Sequence, residues 1–243
     1  MDRLSVSLFF PVYNDETTVR AVAERALQML RGYADDFEII VVNDGSPDRS
    51  GQIADEVARE YSGIVRVIHH PENLGYGAAL RTGVSECRHE WICMIDGDNE
   101  YEVFDLKKML SIRQHYRLII GFRYKKLYST KRVFISSVYN YLLRHLFRTP
   151  FRDVSTGIRV IHRSILDGLV LTCNSPFIGA ELAIKTMLRG YPVGEVGIQT
   201  FPRSFGSGSS TTIRNIWLTM RDMMRVHREI FSERYQMPEG RSR

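Results

Sequence analysis

Residues 91–100 read WICMIDGDNE and place two carboxylates directly after an apolar run. The run at residues 91–95 is typical of a buried strand. Asp96 and Asp98 then stand at the exit of that strand, which is where open α/β sheets bind ligands. Carboxylate oxygens suit Mg²⁺ or Mn²⁺, and such ions are commonly shared with substrate phosphates. The stretch predicts a metal-dependent enzyme with a phosphorylated donor, although a solvated acidic turn has the same pattern.

Strands and helices alternate through the first 100 residues. The apolar periodicity predicts strands at residues 6–12, 37–42, 64–68 and 91–95, and helices at 16–31, 47–61 and 75–87. Ser46 and Pro47 are expected to be the N-cap and first residue of the second helix. Farther along, helices are expected at 105–116, 132–147 and 177–189, and strands at 117–121, 158–161 and 193–201. This order indicates an α/β fold, a mostly parallel twisted sheet with helices on both faces.

Polar or glycine-rich clusters follow each of the first four strands. They are residues 11–15, residues 43–48, residues 73–77 and the pair Asp96 and Asp98. Because the carboxyl ends of parallel strands meet at one edge of a sheet, all four clusters are expected to converge on a single site.

The composition is that of an ordinary soluble globular protein, with 44% hydrophobic and 25% charged residues in 243. We expect one domain over residues 1–212, with an amphipathic helix and tail over 213–243. No apolar stretch approaches the roughly 20 residues that span a bilayer, and no signal-peptide pattern is present. Cys87, Cys93 and Cys173 are too widely spaced for a disulfide framework or a zinc site, so a cytoplasmic location is expected.

Positive charge is concentrated in one block. Residues 106–152 contain no Asp or Glu but hold many Lys and Arg, so the remainder of a chain with net charge +5 is acidic. Such a block creates a directed positive field. A phosphate-rich substrate, an anionic membrane face or a nucleic acid would fit it, and so would a plain solvated surface. Nucleic acid is disfavoured, because few aromatic residues are interleaved for base stacking.

The helix expected over residues 213–231 is apolar on one side and carries arginines elsewhere. Such a helix can lie in a bilayer interface with its arginines at anionic lipid heads. It can also pair with a second subunit to form a homo-oligomer, or pack on its own domain.

The four clusters resemble the nucleotide-diphospho-sugar transferase (GT-A) fold of family 2 glycosyltransferases. The motifs are Pro-Val-Tyr-Asn at 11–14, Asp-Gly-Ser-Pro-Asp at 44–48, Asn-Leu-Gly at 73–75 and Asp-Gly-Asp at 96–98. Residues 121–124 and 153–159 are similar to those of the polyprenyl-phosphate hexose transferases, the dolichyl-phosphate mannose synthase type. The resemblance implies inverting, metal-dependent transfer of a hexose from a GDP- or UDP-linked sugar to a dolichyl or undecaprenyl phosphate. It also implies a peripheral position at the inner face of the membrane and a role in cell-envelope glycan synthesis.

The resemblance also implies a role for individual residues. Those implied to bind the donor are Pro11, Tyr13, Asp15, Asp44, Asn73, Gly75, Asp96 and Arg203. Those implied to hold Mg²⁺ or Mn²⁺ are Asp96, Asp98 and Glu100. Those implied to bind the acceptor phosphate are Arg123, Arg132 and Ser136. Asp98, Arg123 and Arg132 are the candidate catalytic residues.

Two observations favour a phosphate acceptor over a hydroxyl. A phosphate monoester is already largely ionised at neutral pH and needs no general base, whereas a hydroxyl does. Family members that glycosylate hydroxyls often have a Glu-Asp pair in the region of residues 179–182, and here Glu181 is followed by Leu182. Glu181 is either catalytic or the buried partner of an arginine.

Other reactions stay open. The main alternative is transfer to a hydroxyl of a saccharide or lipid-linked glycan, and a remote one is a metal-dependent nucleotidyltransferase. A Rossmann dehydrogenase is disfavoured, because residues 75–77 lack the third glycine at the required spacing and do not follow the first strand.

Overall fold

The computed structural model describes residues 3–124, 130–201 and 212–232. Seven strands form one sheet in the order β3-β2-β1-β4-β6-β5-β7. The strands are β1 (Ser5–Val12), β2 (Asp36–Asn43), β3 (Val65–His69), β4 (Trp91–Met94), β5 (Leu118–Arg123), β6 (Arg159–His162) and β7 (Val193–Ile198). The helices are α1 (Val19–Arg31), α2 (Ser50–Glu60), α3 (Tyr76–Glu86), α4 (Asp105–Ser111), α5 (Thr130–Phe147), α6 (Ile178–Leu188) and α7 (Ile213–Phe231).

The strand directions confirm the mostly parallel sheet. Strand β1 pairs in parallel with both β2 and β4, β2 pairs in parallel with β3, and β5 pairs in parallel with β7. Strand β6 runs antiparallel to its neighbours β4 and β5. The chain leaves β1 toward β2 on one side and returns to β4 on the other, so the strand order reverses between β1 and β4. A crevice opens at such a switch point, beyond the carboxyl ends of the strands.

Two hydrophobic layers cover the sheet. Along β1 the side chains alternate in the way that a strand requires, with Leu8 and Phe10 in one cluster and Phe9 in the other. Helices α1, α2 and α4 pack in the first cluster, and helices α3, α5, α6 and α7 pack in the second. Because β1 is buried on both faces, its position is firmly fixed, and so are the polar residues that follow it.

Helix α2 begins later than the sequence predicts. Ser46 and Pro47 are not its cap and first residue, because the helix starts at Ser50. The backbone N–H of Ser46 instead donates to Oδ1 of Asn43 at 3.1 Å. At the start of the helix, Oδ1 of Asp48 accepts a hydrogen bond from the N–H of Ser50 at 3.0 Å. The residues between β2 and α2 therefore form an open turn that lies against the site.

Helix α7 spans the residues that the sequence predicts, and one of its faces packs on the domain. Met223, Val226 and Ile230 are buried in the second cluster. The sequence left three alternatives for this helix, namely a bilayer interface, a second subunit and its own domain. One face of the helix packs on its own domain. In the part of the chain that the structure describes, no helix has the length and apolarity to cross a membrane.

Candidate active site at the carboxyl edge of the sheet

The four polar clusters converge as predicted. They line a cleft of about 860 Å³ at the carboxyl ends of β1, β2 and β4. Ten of the predicted site residues lie on its walls, and these are Pro11, Tyr13, Asp15, Asp44, Asn73, Gly75, Asp96, Asp98, Glu100 and Arg123. The opposite wall comes from residues 154–157, residues 174–176 and the first turns of α7.

Asp96 and Asp98 lie at the end of β4, in the floor of the cleft. Oδ1 of Asp96 accepts a hydrogen bond from the hydroxyl of Tyr76 at 2.9 Å, and Oδ1 of Asp98 accepts one from the N–H of Glu100 at 3.0 Å. Gly157 packs directly on the Asp96 carboxylate, and a Cβ at that position would overlap it. The glycine therefore allows the loop after α5 to close over this carboxylate.

The carboxylates at this position are crowded. Burial raises the pKa of Asp96 to about 7, and the negative charges of Asp98 and Glu100 act in the same direction. Glu100 is itself buried, at 2% exposure. A cluster of like charges in a poorly solvated floor is unfavourable unless a positive charge compensates it.

The oxygen atoms that Asp96 and Asp98 present to the cleft are suitable ligands for the predicted Mg²⁺ or Mn²⁺. Asp96 and Asp98 offer carboxylate oxygens to the cleft, and these cations prefer oxygen ligands and retain positions for water and substrate phosphate. Among the described residues, however, no three His, Cys, Asp or Glu side chains are grouped as a preformed metal site. The predicted triplet of Asp96, Asp98 and Glu100 therefore stays a prediction.

Asp44 anchors the loop that precedes α3. Its carboxylate accepts hydrogen bonds from the N–H groups of Leu74 and Gly75, each at 3.0 Å, and contacts Nδ1 of His70 at 2.7 Å. Gly75 has φ of 94°, a conformation that favours glycine. Asp44 therefore holds the loop that contributes Asn73 and Gly75 to the cleft, and its implied contact with a base stays a prediction.

His69 and His70 both contact acidic residues. His69 ends β3 and contacts Asp55 at 3.0 Å, and His70 follows the strand and bridges Asp44 and the hydroxyl of Thr82. These acids lie 14 and 26 positions away in sequence, so local spacing does not predict the contacts.

Residues 11–15 form the neighbouring wall. The side chain of Tyr13 is 43% exposed at the cleft, and the backbone N–H of Tyr13 donates to Oδ2 of Asp15 at 3.0 Å. The N–H of Asp15 donates to the hydroxyl of Ser50 at 2.9 Å. This bond joins the turn after β1 to the start of α2, so the wall is tied to the second βα unit. An exposed tyrosine ring beside the cleft offers a flat surface for stacking.

Arg123 is held by a buried ion pair. Its Nε and Nη2 donate to the two carboxylate oxygens of Asp153 at 2.7 and 3.0 Å, and Nη2 also donates to the hydroxyls of Ser155 and Ser136 at 2.6 and 3.4 Å. The side chains of Arg123 and Asp153 are 6% and 4% exposed. The partner Asp153 neutralises much of the charge that the sequence assigned to an acceptor phosphate. The pair also fixes the position of this guanidinium in the cleft wall.

Two predicted basic residues cannot be placed. The side chain of Arg132 and the whole of Arg203 lie outside the described residues. Their implied roles stay predictions.

Glu181 is a structural residue. It is fully buried, accepts from the N–H groups of Thr172 and Cys173 at 3.0–3.1 Å, and pairs with Nζ of Lys185 at 2.9 Å. Lys185 also bonds Glu229 of α7 at 2.9 Å. Burial raises the pKa of Glu181, but hydrogen bonds from Lys185 and the two amides outweigh this and leave the pKa below its ordinary value. The buried partner is thus a lysine, not the arginine considered from sequence, and the carboxylate does not line the cleft.

The structure adds site residues that sequence reasoning missed. Arg159 is 2% exposed and donates to the carbonyls of Val154, Thr156 and Gly179 at 2.7–2.9 Å, so that it ties the 154–157 loop to α6. From α7, Arg214 and Arg221 line the cleft. The arginines of α7 were noted in the sequence, but the face that meets the cleft was not predictable, because it depends on where α7 docks.

Comparison with known proteins identifies relatives of the described domain. The family profile named Glycosyl transferase family 2 matches residues 7–170. A dolichyl-phosphate beta-glucosyltransferase, ALG5D of Trichomonas vaginalis, is 36% identical over 105 residues, an alignment that covers 41% of this chain and 32% of the relative. Glycosyltransferase AglD of Haloferax volcanii is 27% identical over 210 residues, covering 82% of this chain and 34% of the relative. The chain therefore spans about a third of the length of these two relatives.

Solved structures confirm the predicted GT-A-type fold. A glucosyl-3-phosphoglycerate synthase from Mycobacterium tuberculosis, solved with Mn²⁺, uridine diphosphate and phosphoglyceric acid, superposes with a TM-score of 0.71 at 17% identity. The match covers 93% of this chain and 78% of that one. The same protein in complex with phosphoglyceric acid alone also gives a TM-score of 0.71, at 18% identity. At this level of identity the likeness concerns the fold.

The buried ion pair predicts a specific loss of stability. Arg123→Met is expected to lower the free energy of unfolding by about 3 kcal/mol, because the buried Asp153 loses the guanidinium that bonds both of its carboxylate oxygens. The double variant Arg123→Met/Asp153→Asn is expected to recover at least about 1 kcal/mol of that loss. Denaturant unfolding measures both values. Equal losses in the two variants would show that the ion pair does not stabilise this wall.

The lowered pKa of Glu181 predicts a pH-dependent contribution to stability. This contribution is complete above the ordinary carboxyl pKa of about 4.3 and is lost as the pH falls through the lower pKa of the folded state. Glu181→Gln is therefore expected to cost about 2 kcal/mol at pH 7 and progressively less below about pH 4. Urea unfolding across this range measures the difference, with the exposed Glu72→Gln as control. A cost that is unchanged in acid would contradict the assignment.

Proposed function

Because this chain belongs to glycosyltransferase family 2, we propose that it transfers a hexose from a nucleoside-diphosphate sugar to a polyprenyl phosphate. The donor would be GDP- or UDP-linked, with its base near Tyr13 and its diphosphate above Asp96 and Asp98. The uridine diphosphate bound by the M. tuberculosis synthase supports a donor of this class. The dolichyl phosphate in the name of the T. vaginalis relative supports a polyprenyl-phosphate acceptor.

Asp96 and Asp98 are the residues that would hold the divalent cation. A cation bound there supplies positive charge that neutralises the diphosphate as it leaves. The crowded carboxylates and the oxygen-only donor set support this assignment. The M. tuberculosis synthase, which has the same fold, was solved with Mn²⁺. Whether Mg²⁺ or Mn²⁺ serves this chain is part of the test below.

The observation that carries the acceptor proposal is the state of Glu181. This carboxylate is fully buried and paired with Lys185, so it is unsuited to remove a proton from a hydroxyl in the cleft. An acceptor phosphate needs no such base, since its second pKa is about 6. It does need positive charge to position it, and the exposed Arg214 and Arg221 line the same cleft.

The bond changes follow from a direct displacement. An oxygen of the acceptor phosphate forms a bond to the anomeric carbon, while the bond from that carbon to the diphosphate breaks and its electron pair leaves with the diphosphate. No proton has to move to a protein residue. Attack from the face opposite the leaving group inverts the anomeric centre, which gives a β-linked product from an α-linked donor.

The proposal is tested with the purified chain in detergent micelles. UDP-glucose and GDP-mannose, each labelled in the sugar, are offered with Mn²⁺ or Mg²⁺ and a polyprenyl phosphate. We expect metal-dependent formation of an organic-soluble product that mild acid hydrolyses, together with release of the nucleoside diphosphate. A neutral polyprenol and phosphoglyceric acid serve as competing acceptors. Transfer to either of these in place of the lipid phosphate, or release of pyrophosphate, would overturn the proposal.

Removal of one metal-binding carboxylate gives a second test. Asp98→Asn keeps the side-chain shape but removes the charge, and we expect at least a 100-fold loss of turnover with the active donor. Asp55→Asn on α2 makes the same charge change on the outer surface and is expected to keep full activity. Turnover in the Asp98→Asn variant within a few-fold of the parent would remove Asp98 from the catalytic residues.

A further inference from the structure

Helix α7 has an outward face that none of the described residues covers. We define its apolar stripe as Ile213, Trp217, Met220, Met224 and Phe231, which are 38–87% exposed. These residues repeat at intervals of three, four and seven, so they form one row along the helix. Exposed apolar residues scattered singly are ordinary, but a continuous row of five on one helix marks an interaction surface.

Positive charge runs beside this stripe. Arg214, Arg221, Arg225 and Arg228 follow each other at intervals of seven, four and three, and they form a second row that we call the arginine row. All four are exposed. At 100° per residue, the arginine row lies between the apolar stripe and the side of α7 that meets the cleft. Amphipathic helices that lie in a bilayer interface have the same arrangement, with apolar residues in the lipid and arginines beside them at the level of the headgroups.

The two acidic residues of α7 have cationic partners. Asp222 is 2% exposed, accepts from the N–H of Ser175, and lies 3.3 Å from Arg225 and 3.8 Å from Arg221, while Glu229 pairs with the buried Lys185. Asp222 therefore offsets part of the arginine row, but the outward side of the helix keeps an excess of positive charge beside its apolar stripe. Such a surface is complementary to an anionic one.

We propose that the apolar stripe and the arginine row of α7 seat the protein on an anionic lipid surface. In this orientation the stripe enters the interface, and the arginine row meets the lipid phosphates. Arg214 and Arg221 belong to this row and also line the cleft, so the cleft opens at headgroup level. A second copy of the chain fits this surface less well, because a two-fold contact between stripes would bring two arginine rows together. The proposal concerns a surface and holds whatever the sugar acceptor is.

Tryptophan fluorescence of the intact chain provides the test. The chain has two tryptophans, of which Trp91 is buried in β4 and Trp217 is 61% exposed in the stripe. Phosphatidylcholine vesicles containing phosphatidylglycerol are expected to shift the emission to shorter wavelength, and vesicles of phosphatidylcholine alone are expected to have little effect. The Trp217→Phe substitution is expected to abolish the shift, because it removes the exposed reporter. The variant protein is still expected to sediment with the vesicles. No donor or acceptor is present, so a failed transferase assay does not affect the result.

Matched variants separate the two parts of the surface. Ile213→Ser/Met224→Ser is expected to weaken vesicle partitioning by at least about tenfold, because it removes two apolar side chains from the stripe. Val170→Ser, at an exposed valine outside α7, is its control. Arg228→Gln is expected to weaken partitioning about fivefold, and Arg59→Gln on α2 is the control for charge.

Two outcomes would overturn the proposal. One is an emission shift that grows with protein concentration in the absence of vesicles, which would assign the stripe to a second copy of the chain. The other is vesicle binding that is absent, or that is unchanged by the stripe and arginine variants.

Discussion

The site depends on the crowding of carboxylates at the end of β4. Asp96, Asp98 and Glu100 lie within five residues, and burial with mutual repulsion raises the pKa of Asp96 to about 7. A fold tolerates such an arrangement where a compensating charge binds. The surroundings hold the group in place, since Tyr76 donates to Asp96 and Gly157 leaves room for its carboxylate. Because these carboxylates follow β4 at the switch point between β1 and β4, they lie in the crevice where open α/β sheets bind ligands.

Charge of the opposite sign is distributed around the same cleft. Arg123 is fixed by Asp153, Arg159 is fixed by three carbonyls, and α7 brings Arg214 and Arg221. These arginines differ in their surroundings. Arg159 and Arg123 are buried and bound to the protein, so they shape the walls, whereas the arginines of α7 are exposed and can meet an anion. The cleft thus has a negative floor for a cation and a positive rim on the side of α7, which is the charge pattern that two phosphorylated substrates require.

Much of this site could be predicted from local sequence. The apolar runs place β1 and β4, and the polar residues that follow them must meet at one edge because parallel strands share a direction. The extent of α7 was also predictable from its periodicity. Some contacts depend on residues that are distant in sequence, and others on local signals that were interpreted wrongly. Asp44, 26 residues from His70, becomes its acidic neighbour only in the fold. Lys185 lies four residues after Glu181 on the same helix, a spacing that favours it as the partner over an arginine. Pro47 had the chemistry of a first helical residue, but the turn held by Asn43 and Asp48 delays the helix.

The most direct test of the account is calorimetric titration of nucleoside diphosphates into the protein, with and without Mn²⁺. We predict that uridine or guanosine diphosphate binds only when Mn²⁺ is present, and that Asp96→Asn weakens this binding by at least about 100-fold. Binding of equal strength without the cation, or undiminished binding by the Asp96→Asn variant, would contradict the claim that this carboxylate cluster holds a cation for a departing diphosphate.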